Sequence, residues 1–135
     1  MAATERTFVM LKPDCIKRGL VGEVISRIER KGYRIADAKM MWLDEPILRE
    51  HYAHMVEKPF FHEILSYMMS GPVLAMIVEG ENVVAGVRIL MGATKFEQMT
   101  AGTIRGDFAM STGENIIHGS DSAENAEIEI RRFFG

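Results

Sequence analysis

The chain has 135 residues, of which 47% are hydrophobic and 26% charged, a balance that is typical of a folded globular domain and disfavours disorder. Its formal net charge of -3 argues against bulk binding to nucleic-acid phosphates, which needs a basic face, but is compatible with a small basic pocket. The single cysteine, Cys15, excludes an intramolecular disulfide and zinc sites built on paired cysteines. We therefore predict one domain over residues 1–135, in a reducing, cytoplasmic compartment.

The apolar runs predict neither secretion nor membrane insertion. The N-terminal MAATERTFVM has no basic segment followed by a long apolar core, which is the pattern of a secretory signal. The most apolar stretch, ILSYMMSGPVLAMIV, is interrupted at residues 70–72, so its pieces fall below the roughly 20 residues that span a bilayer. We expect a soluble protein with no membrane partner.

The first half of the chain predicts two strands and three helices. Residues 7–11, TFVML, are predicted to form a strand that ends before Pro13, because proline removes a ladder donor. Apolar residues at positions 21, 24, 25 and 28 have helical spacing, and the helix that they predict ends near Gly32. Residues 33–42 are predicted to form a second strand. Two short helices follow, with apolar positions at Leu48, Tyr52 and Met55 and at Phe61, Ile64, Leu65 and Met68.

The second half predicts two strands and two helices around a long irregular segment. Residues 72–78, PVLAMIV, form the continuous apolar run expected of a strand buried on both faces. Asn82 is a candidate N-cap for a helix through Leu90. Residues 92–114 show no steady period and are predicted to be a functional or disordered loop. A short strand at 116–118 precedes the last helix. That helix has candidate N-caps at Asp121 and Ser122 and apolar positions at Ala126, Ile130 and Phe133.

The order of these elements predicts the fold class. It is β-α-β-α-α-β-α-β-α, and without the two short helices in its middle it becomes βαββαβ, the split arrangement of ferredoxin-like folds. We therefore predict an α+β fold, a ferredoxin-like βαββαβ antiparallel sheet with additional helices.

Separated cations are candidates for binding phosphate. The chain has no G-x-x-x-x-G-K-[ST] loop, no G-x-G-x-x-G and no protein-kinase signature. Arginine's planar fork suits phosphate oxygens, and threonine hydroxyls can add donors. Each such residue is by itself more typical of a solvated surface, and spacing alone does not show that they converge. The candidates are Lys12, Arg88, Thr94, Thr103 and Arg105.

His118, in the stretch NIIHGSDS, has three alternative roles. As a nucleophile it could accept a phosphoryl group, with Glu129 on its other ring nitrogen, Ser120 as a hydrogen-bond donor and Gly119 permitting close approach of substrate. A satisfied structural histidine is the commoner case for a lone residue. A metal site is the weakest alternative, because the other three histidines have spacings of three and eight and no carboxylate pattern completes a set. Those histidines are His51, His54 and His62.

Three motifs together carry a resemblance to a known family. NIIHGSDS, TFVMLKPD near the start and GTIRGDF at 102–108 closely resemble the nucleoside diphosphate kinases. YAHMVEKPFF, SGPVLAMIVEG and MGATKFEQMTAGTIRGDF follow in the family order, so the resemblance covers residues 4–134. One departure lies after Thr94, where Lys-Phe replaces the Asn-Pro common in the family, and another is Thr112, where an apolar residue often covers the nucleotide base.

The resemblance implies an enzyme that transfers a γ-phosphoryl group from a nucleoside triphosphate, typically ATP, to a nucleoside diphosphate. It implies a ping-pong mechanism through a phosphohistidine on His118, which Glu129 orients and beside which Ser120 bonds. Mg²⁺ would enter with the nucleotide, with no metal cage of protein ligands. Lys12 and Asn115 would contact the ribose hydroxyls, with Lys12 near the phosphates. The other nucleotide contacts implied are Tyr52, Arg88, Thr94 and Arg105 on the phosphates and Phe60 on the base.

The resemblance also implies a homo-oligomer, a tetramer or a hexamer built from dimers.

Two non-enzymatic alternatives are a ferredoxin-like regulatory module without turnover and an RNA-binding module. The intact set of site residues argues against the first. The aliphatic strands around Met10 and Ala75 and the acidic charge argue against the second, and no specific nucleic-acid partner is expected.

Overall fold

A four-stranded antiparallel sheet organises the structure, a computed structural model that describes residues 4–135. The strands are β1 (Glu5–Leu11), β2 (Arg34–Met41), β3 (Val73–Gly80) and β4 (Ile117–Gly119). The α-helices are α1 (Pro13–Lys17), α2 (Val21–Lys31), α3 (Glu45–His51), α4 (Phe61–Met68), α5 (Val83–Met91), α6 (Ile104–Phe108) and α7 (Ala123–Phe134). Short 3-10 turns lie at Ala53–Met55 and Phe96–Gln98.

The sheet confirms the predicted ferredoxin-like arrangement. Its strand order is β2-β3-β1-β4, and every neighbouring pair is antiparallel. The elements β1, α2, β2, β3, α5 and β4 therefore form the βαββαβ core, to which the other helices are added. The pairing of β1 with β4 sets Met10 opposite His118, so the short last strand lies beside the first one.

Helices cover both faces of the sheet and create two cores. Side chains alternate along a strand, so Val9 and Leu11 pack toward α2 and α5, whereas Phe8 and Met10 pack toward α3, α4 and α7. Strand β3 is buried on both faces from Val73 to Val78, as its continuous apolar sequence predicts.

The irregular segment at 92–114 contains more structure than the sequence predicts. Residues Ile104–Phe108 form α6, and the Thr103 side chain caps it by accepting a hydrogen bond from the Gly106 amide. The chain also forms a helix at Pro13–Lys17, which the sequence pattern did not indicate. Both helices have five residues, little more than one turn, so neither can display a helical period.

The predicted cap of α5 is wrong in its mechanism. Asn82 does stand at the N-cap position, but its backbone is left-handed, with φ of 54°, and its side chain makes no capping bond. Glu5 of β1 takes this role, because its Oε1 accepts a hydrogen bond of 3.0 Å from the Val84 amide. The cap of α7 follows the prediction, since the Ser122 side chain accepts from the Asn125 amide.

Two predictions concern membranes and export. Within residues 4–135, no helix combines the length and the apolar character needed to cross a bilayer. Residues 1–3, part of the segment examined for a secretory signal, lie outside the described residues.

Candidate active site

The His118 ring lies at the floor of a cleft beside the sheet. As the middle residue of β4 it is held by pairing with β1, and its side chain remains 23% exposed. The Phe8 ring lies 6.0 Å away, centroid to centroid, and the His51 ring meets it edge-on at 4.8 Å. Packing on two sides restricts the orientation of the imidazole.

Glu129 and Ser120 complete a hydrogen-bonded group around this imidazole. Glu129 Oε1 lies 2.9 Å from His118 Nε2 and accepts a 2.6 Å hydrogen bond from Ser120 Oγ. Burial lowers the pKa of His118, although Glu129 opposes that effect. Burial raises the pKa of Glu129, but the hydrogen bonds from His118 and Ser120 and the electrostatic effect of the two imidazoles on the carboxylate outweigh it and lower the pKa overall. The pair is thus a neutral imidazole that donates from Nε2 to a carboxylate.

Lys12 and Asn115 meet at the same cleft from distant parts of the chain. The Lys12 ammonium donates a 2.8 Å hydrogen bond to Asn115 Oδ1, and both residues are buried. Burial, together with the nearby charge of Arg105, lowers the pKa of Lys12 to about 7, against the opposing effect of Asp14. A lysine so poorly solvated is ready to pair with an anion.

Arg105 is buried on α6 and is held mainly by the backbone. Its Nη2 donates to the Ile117 carbonyl at 2.7 Å, and its Nη1 lies 3.3 Å from Thr94 Oγ1. Burial, with a contribution from Arg88, lowers the pKa of Arg105 to about 10, so the guanidinium stays charged at neutral pH. Arg88, on α5, is more exposed and donates to the Gly119 carbonyl at 3.2 Å.

The cleft has a volume of about 1030 Å³ and brings the predicted residues together. Phe60 lies at its rim with 44% of its surface exposed. Burial raises the pKa of Tyr52 to about 12, so its hydroxyl keeps its proton. Ser120 is buried beside Glu129 and does not line the cleft. The predicted residues that line it are Lys12, Tyr52, Phe60, Arg88, Thr94, Arg105, Asn115, His118 and Glu129.

The backbone around His118 is shaped by two unusual residues. Ile116 is fully buried with a φ of 64°, a strained value for a β-branched residue, and the Lys12 amide holds its carbonyl at 2.8 Å. A Cβ on Gly119 would lie 2.6 Å from Met91 Sδ and 3.2 Å from Val87 Cγ1. Gly119 is therefore needed for the packing of α5 against β4, a reason that the sequence did not suggest.

Sequence reasoning missed the contacts of His51 and Arg132. Arg132 Nη1 lies 2.8 Å from His51 Nδ1, and both residues line the cleft. The face of α7 that lines the cleft also includes Asn125, Ile128 and Glu129. These positions follow the i, i+3, i+4, i+7 spacing of one helix face, so Glu129 could have indicated Arg132.

The histidines do not form the set that was weighed as a metal site. His54 and His62 are exposed, whereas His51 joins His118 and Glu129, with ligand atoms within 4.8 Å of one another. Two of these donors are already hydrogen bonded to each other, and Lys12 and Arg105 place positive charge nearby. This set is a poor match for a resident divalent cation.

Comparisons with known proteins decide the family. A sequence model of the family described as nucleoside diphosphate kinase matches residues 5–135. The chain belongs to the nucleoside diphosphate kinase family. It is thus a phosphotransferase that moves phosphoryl groups between nucleotides.

Individual members of the nucleoside diphosphate kinase family are similar along nearly the whole chain. A nucleoside diphosphate kinase of Archaeoglobus fulgidus is 54% identical over 130 residues, which cover 96% of this chain and 86% of that protein. The crystal structure of the Encephalitozoon cuniculi enzyme superposes with a TM-score of 0.93 and 49% identity, covering 97% of this chain and 89% of that one. The structure of the Halobacterium salinarum enzyme in complex with CDP superposes with a TM-score of 0.93 and 47% identity, covering 98% of this chain and 88% of that one.

One hydrogen bond connects the two places where this chain departs from the usual nucleoside diphosphate kinase sequence. Thr112 Oγ1 accepts a 2.9 Å bond from the Phe96 amide. Phe96 begins a 3-10 turn in the segment that lacks Asn-Pro, and Thr112 lines the cleft. The Thr112 hydroxyl therefore ties this segment to the wall where the family often has an apolar residue.

Proposed function

We propose that the chain is a nucleoside diphosphate kinase that works by a ping-pong mechanism with His118 as the phosphoryl carrier. The observation that supports this most directly is the His118–Glu129 hydrogen bond at Nε2. Among the described residues, Nδ1 has no hydrogen-bond partner, and the ring faces the cleft. A neutral imidazole with a free nitrogen at the floor of a cationic cleft is a competent nucleophile for a phosphorus atom.

The two half-reactions use the same nitrogen. In the first, the lone pair on Nδ1 attacks the γ-phosphorus of a nucleoside triphosphate. The bond between that phosphorus and the bridging oxygen breaks, and the diphosphate leaves with its electron pair. In the second, a terminal oxygen of another nucleoside diphosphate attacks the phosphorus, and the N–P electrons return to Nδ1. The Nε2 proton stays with His118, so the Glu129 carboxylate offsets the positive charge that phosphorylation places on the ring.

The cations around His118 are proposed to bind the phosphates. Phosphoryl transfer requires positioning and charge stabilisation, which Lys12, Arg88 and Arg105 supply from three different elements. Thr94 and the protonated Tyr52 add neutral donors. Because Lys12 already contacts Asn115, we assign this pair to the ribose hydroxyls as well as, for Lys12, the phosphates.

The base is assigned to Phe60 at the rim of the cleft. Every base has a π face, so stacking on an exposed ring accepts different nucleobases. Thr112 lies along the same cleft and would meet the base with a small side chain whose hydroxyl is already engaged by Phe96. This arrangement favours broad base acceptance.

Magnesium is proposed to enter on the nucleotide. Apart from Glu129, which is already hydrogen bonded to His118, the charged groups that act on His118 are the cations Lys12 and Arg105, which disfavours a resident metal there and favours an ion that the phosphates hold. Magnesium bound in this way neutralises part of the phosphate charge. The described residues then need only bind the remaining anionic oxygens and the sugar.

The test is phosphorylation of the full chain by Mg·ATP without an acceptor. We expect intact mass spectrometry to show one phosphoryl group per chain, peptide mapping to assign it to His118, and added CDP to discharge it. If CTP forms from ATP and CDP while no phosphoryl group is ever detected on the chain, transfer is direct and the carrier role is wrong. If neither transfer nor phosphorylation occurs, the kinase assignment itself is wrong.

A homo-oligomer is proposed from the exposed edge of the sheet. Strand β2 is an edge strand in which six of the eight residues are exposed; Met40 within it and Trp42 just after it expose 54% and 67% of their surfaces. An open, apolar edge is a common pairing surface between chains. Light scattering is expected to give a tetramer or hexamer, and a monomer at micromolar concentration would contradict the proposal.

We further infer one domain per chain and a reducing, cytoplasmic location, since Cys15 is buried and unpaired.

A further inference from the structure

Arg132 and His51 form a largely buried pair beside the proposed carrier. His51 ends α3 with 8% of its surface exposed, and its Nδ1 lies 2.8 Å from Arg132 Nη1. Arg132 also forms an ion pair with Glu50, whose Oε1 lies 3.3 Å from its Nε. A guanidinium can only donate, so His51 accepts at Nδ1 and carries its proton on Nε2. Arg132 thus selects one tautomer of His51.

The His51 ring forms a wall against the His118 ring. Their centroids are 4.8 Å apart with an interplanar angle of 80°. Phe133 and Tyr52 close on His51 in the same edge-on way, at 5.2 and 4.8 Å. Aromatic rings packed edge to face on several sides have little room to rotate. The orientation of His51 therefore limits the orientation of His118.

We propose that Arg132 and His51 are positioning residues that hold the His118 imidazole with Nε2 on Glu129 and Nδ1 open to the phosphoryl group. This inference rests on the proposed function, since it deepens the account of the same site. Neither residue is assigned a contact with the substrate. Their effect is exerted through the ring of His118, whose other neighbours are Phe8 on one side and Glu129 at Nε2.

The charges around His51 agree with such a role. The pKa of His51 is lowered to about 3, first by burial and next by His118, with Arg132 and Lys12 adding to the effect and Glu129 opposing it. His51 is thus neutral across the working range of the enzyme. A neutral ring beside the carrier adds no positive charge that would compete for the Glu129 carboxylate.

The experiment compares Arg132→Met with Arg131→Met in the full chain. Met keeps much of the length of the side chain, and Arg131 is an exposed neighbour on the same helix, so the control removes an equal charge without touching His51. We expect the single-turnover rate of His118 phosphorylation to fall about tenfold in Arg132→Met, because small misplacements of reacting atoms cost rates of this order. Nucleotide affinity and the control are expected to stay within about twofold of the unchanged protein. Arg132→Lys, which restores a donor, should recover part of the rate.

Nitrogen-15 NMR of the imidazoles reports the tautomer without any substitution. In the unchanged protein His51 is expected as the Nε2–H form, and in Arg132→Met as a mixture of tautomers. An Nδ1–H form in the unchanged protein would overturn the inference, even if the variant failed to fold. Equal phosphorylation rates in Arg132→Met and Arg131→Met would also overturn the inference. The proposed function would still stand in that case, provided that His118 is phosphorylated in the unchanged protein. Absence of that phosphorylation would instead contradict the proposed function.

Discussion

Replacing His118 with alanine is expected to lower kcat for phosphoryl transfer by about 10⁴-fold or more, the order seen when a covalent nucleophile is removed. No other imidazole can take over, because the nearest, His51, is committed at Nδ1 to Arg132 and buried behind the carrier. Nucleotide binding should persist, since Lys12 and Arg105 remain in the cleft. Stability should change by only about 1–2 kcal/mol, as Ser120 still bonds to Glu129.

Coupled-assay kinetics and nucleotide binding by calorimetry check this expectation on one preparation. Turnover within about a hundredfold of the unchanged protein would exclude His118 as the carrier. Glu129→Gln is the graded comparison, with an expected loss of about 10- to 100-fold because the ring loses its carboxylate partner but keeps a hydrogen bond.

The pH dependence of the rate separates the role of His118 as nucleophile from the role of Glu129 as its hydrogen-bond partner. Only the neutral imidazole can attack, so the rate falls as the pH falls through the pKa of His118. Burial lowers that pKa and Glu129 raises it. Removing the carboxylate charge in Glu129→Gln should therefore move the acid limb to lower pH even though the maximal rate drops. An acid limb that stays in place would mean that Glu129 does not act through the imidazole.

Arg105→Met is expected to damage both stability and catalysis. The Arg105 side chain is 4% exposed and donates to the carbonyls of Ile117, Asn115 and Gly92. Its loss removes these three hydrogen bonds, two of them to carbonyls of buried residues, and frees the segment that contains Thr94 from α6. We expect the free energy of unfolding to fall by about 2–4 kcal/mol and kcat/KM by about a hundredfold or more.

Arg88→Met is the matched control for this prediction. Arg88 is exposed and makes one backbone hydrogen bond of 3.2 Å, to Gly119. Its loss should reduce nucleotide affinity while changing the free energy of unfolding by about 0.5 kcal/mol or less. Urea denaturation of both variants, followed by nucleotide titration, distinguishes the two arginines. Equal destabilisation of the two would show that the buried bonds of Arg105 contribute no more than a surface contact.

The α-helices that a local pattern predicted are those long enough to show a helical period. Helix α2 has eleven residues with an apolar face and ends at Gly32, which adopts a φ of 112°. Helices α1 and α6 escaped prediction because five residues are too few for a period. The cap of α5 was not predicted because it comes from Glu5, which is 79 residues away from the Val84 amide whose hydrogen bond it accepts.

The sequence by itself determined the βαββαβ order and the family, and it indicated nine of the residues that line the candidate cleft. Each of these inferences rests on short stretches of neighbouring residues, such as NIIHGSDS, which can be recognised in the sequence without knowledge of the fold. Only the tertiary structure decided that Lys12 meets Asn115 across 103 residues, because their contact depends on the pairing of β1 with β4. It also decided that Arg132 holds His51 across 81 residues, which no local pattern of either segment could indicate. Long-range contacts follow from how strands pair and helices pack, and these are properties of the folded chain.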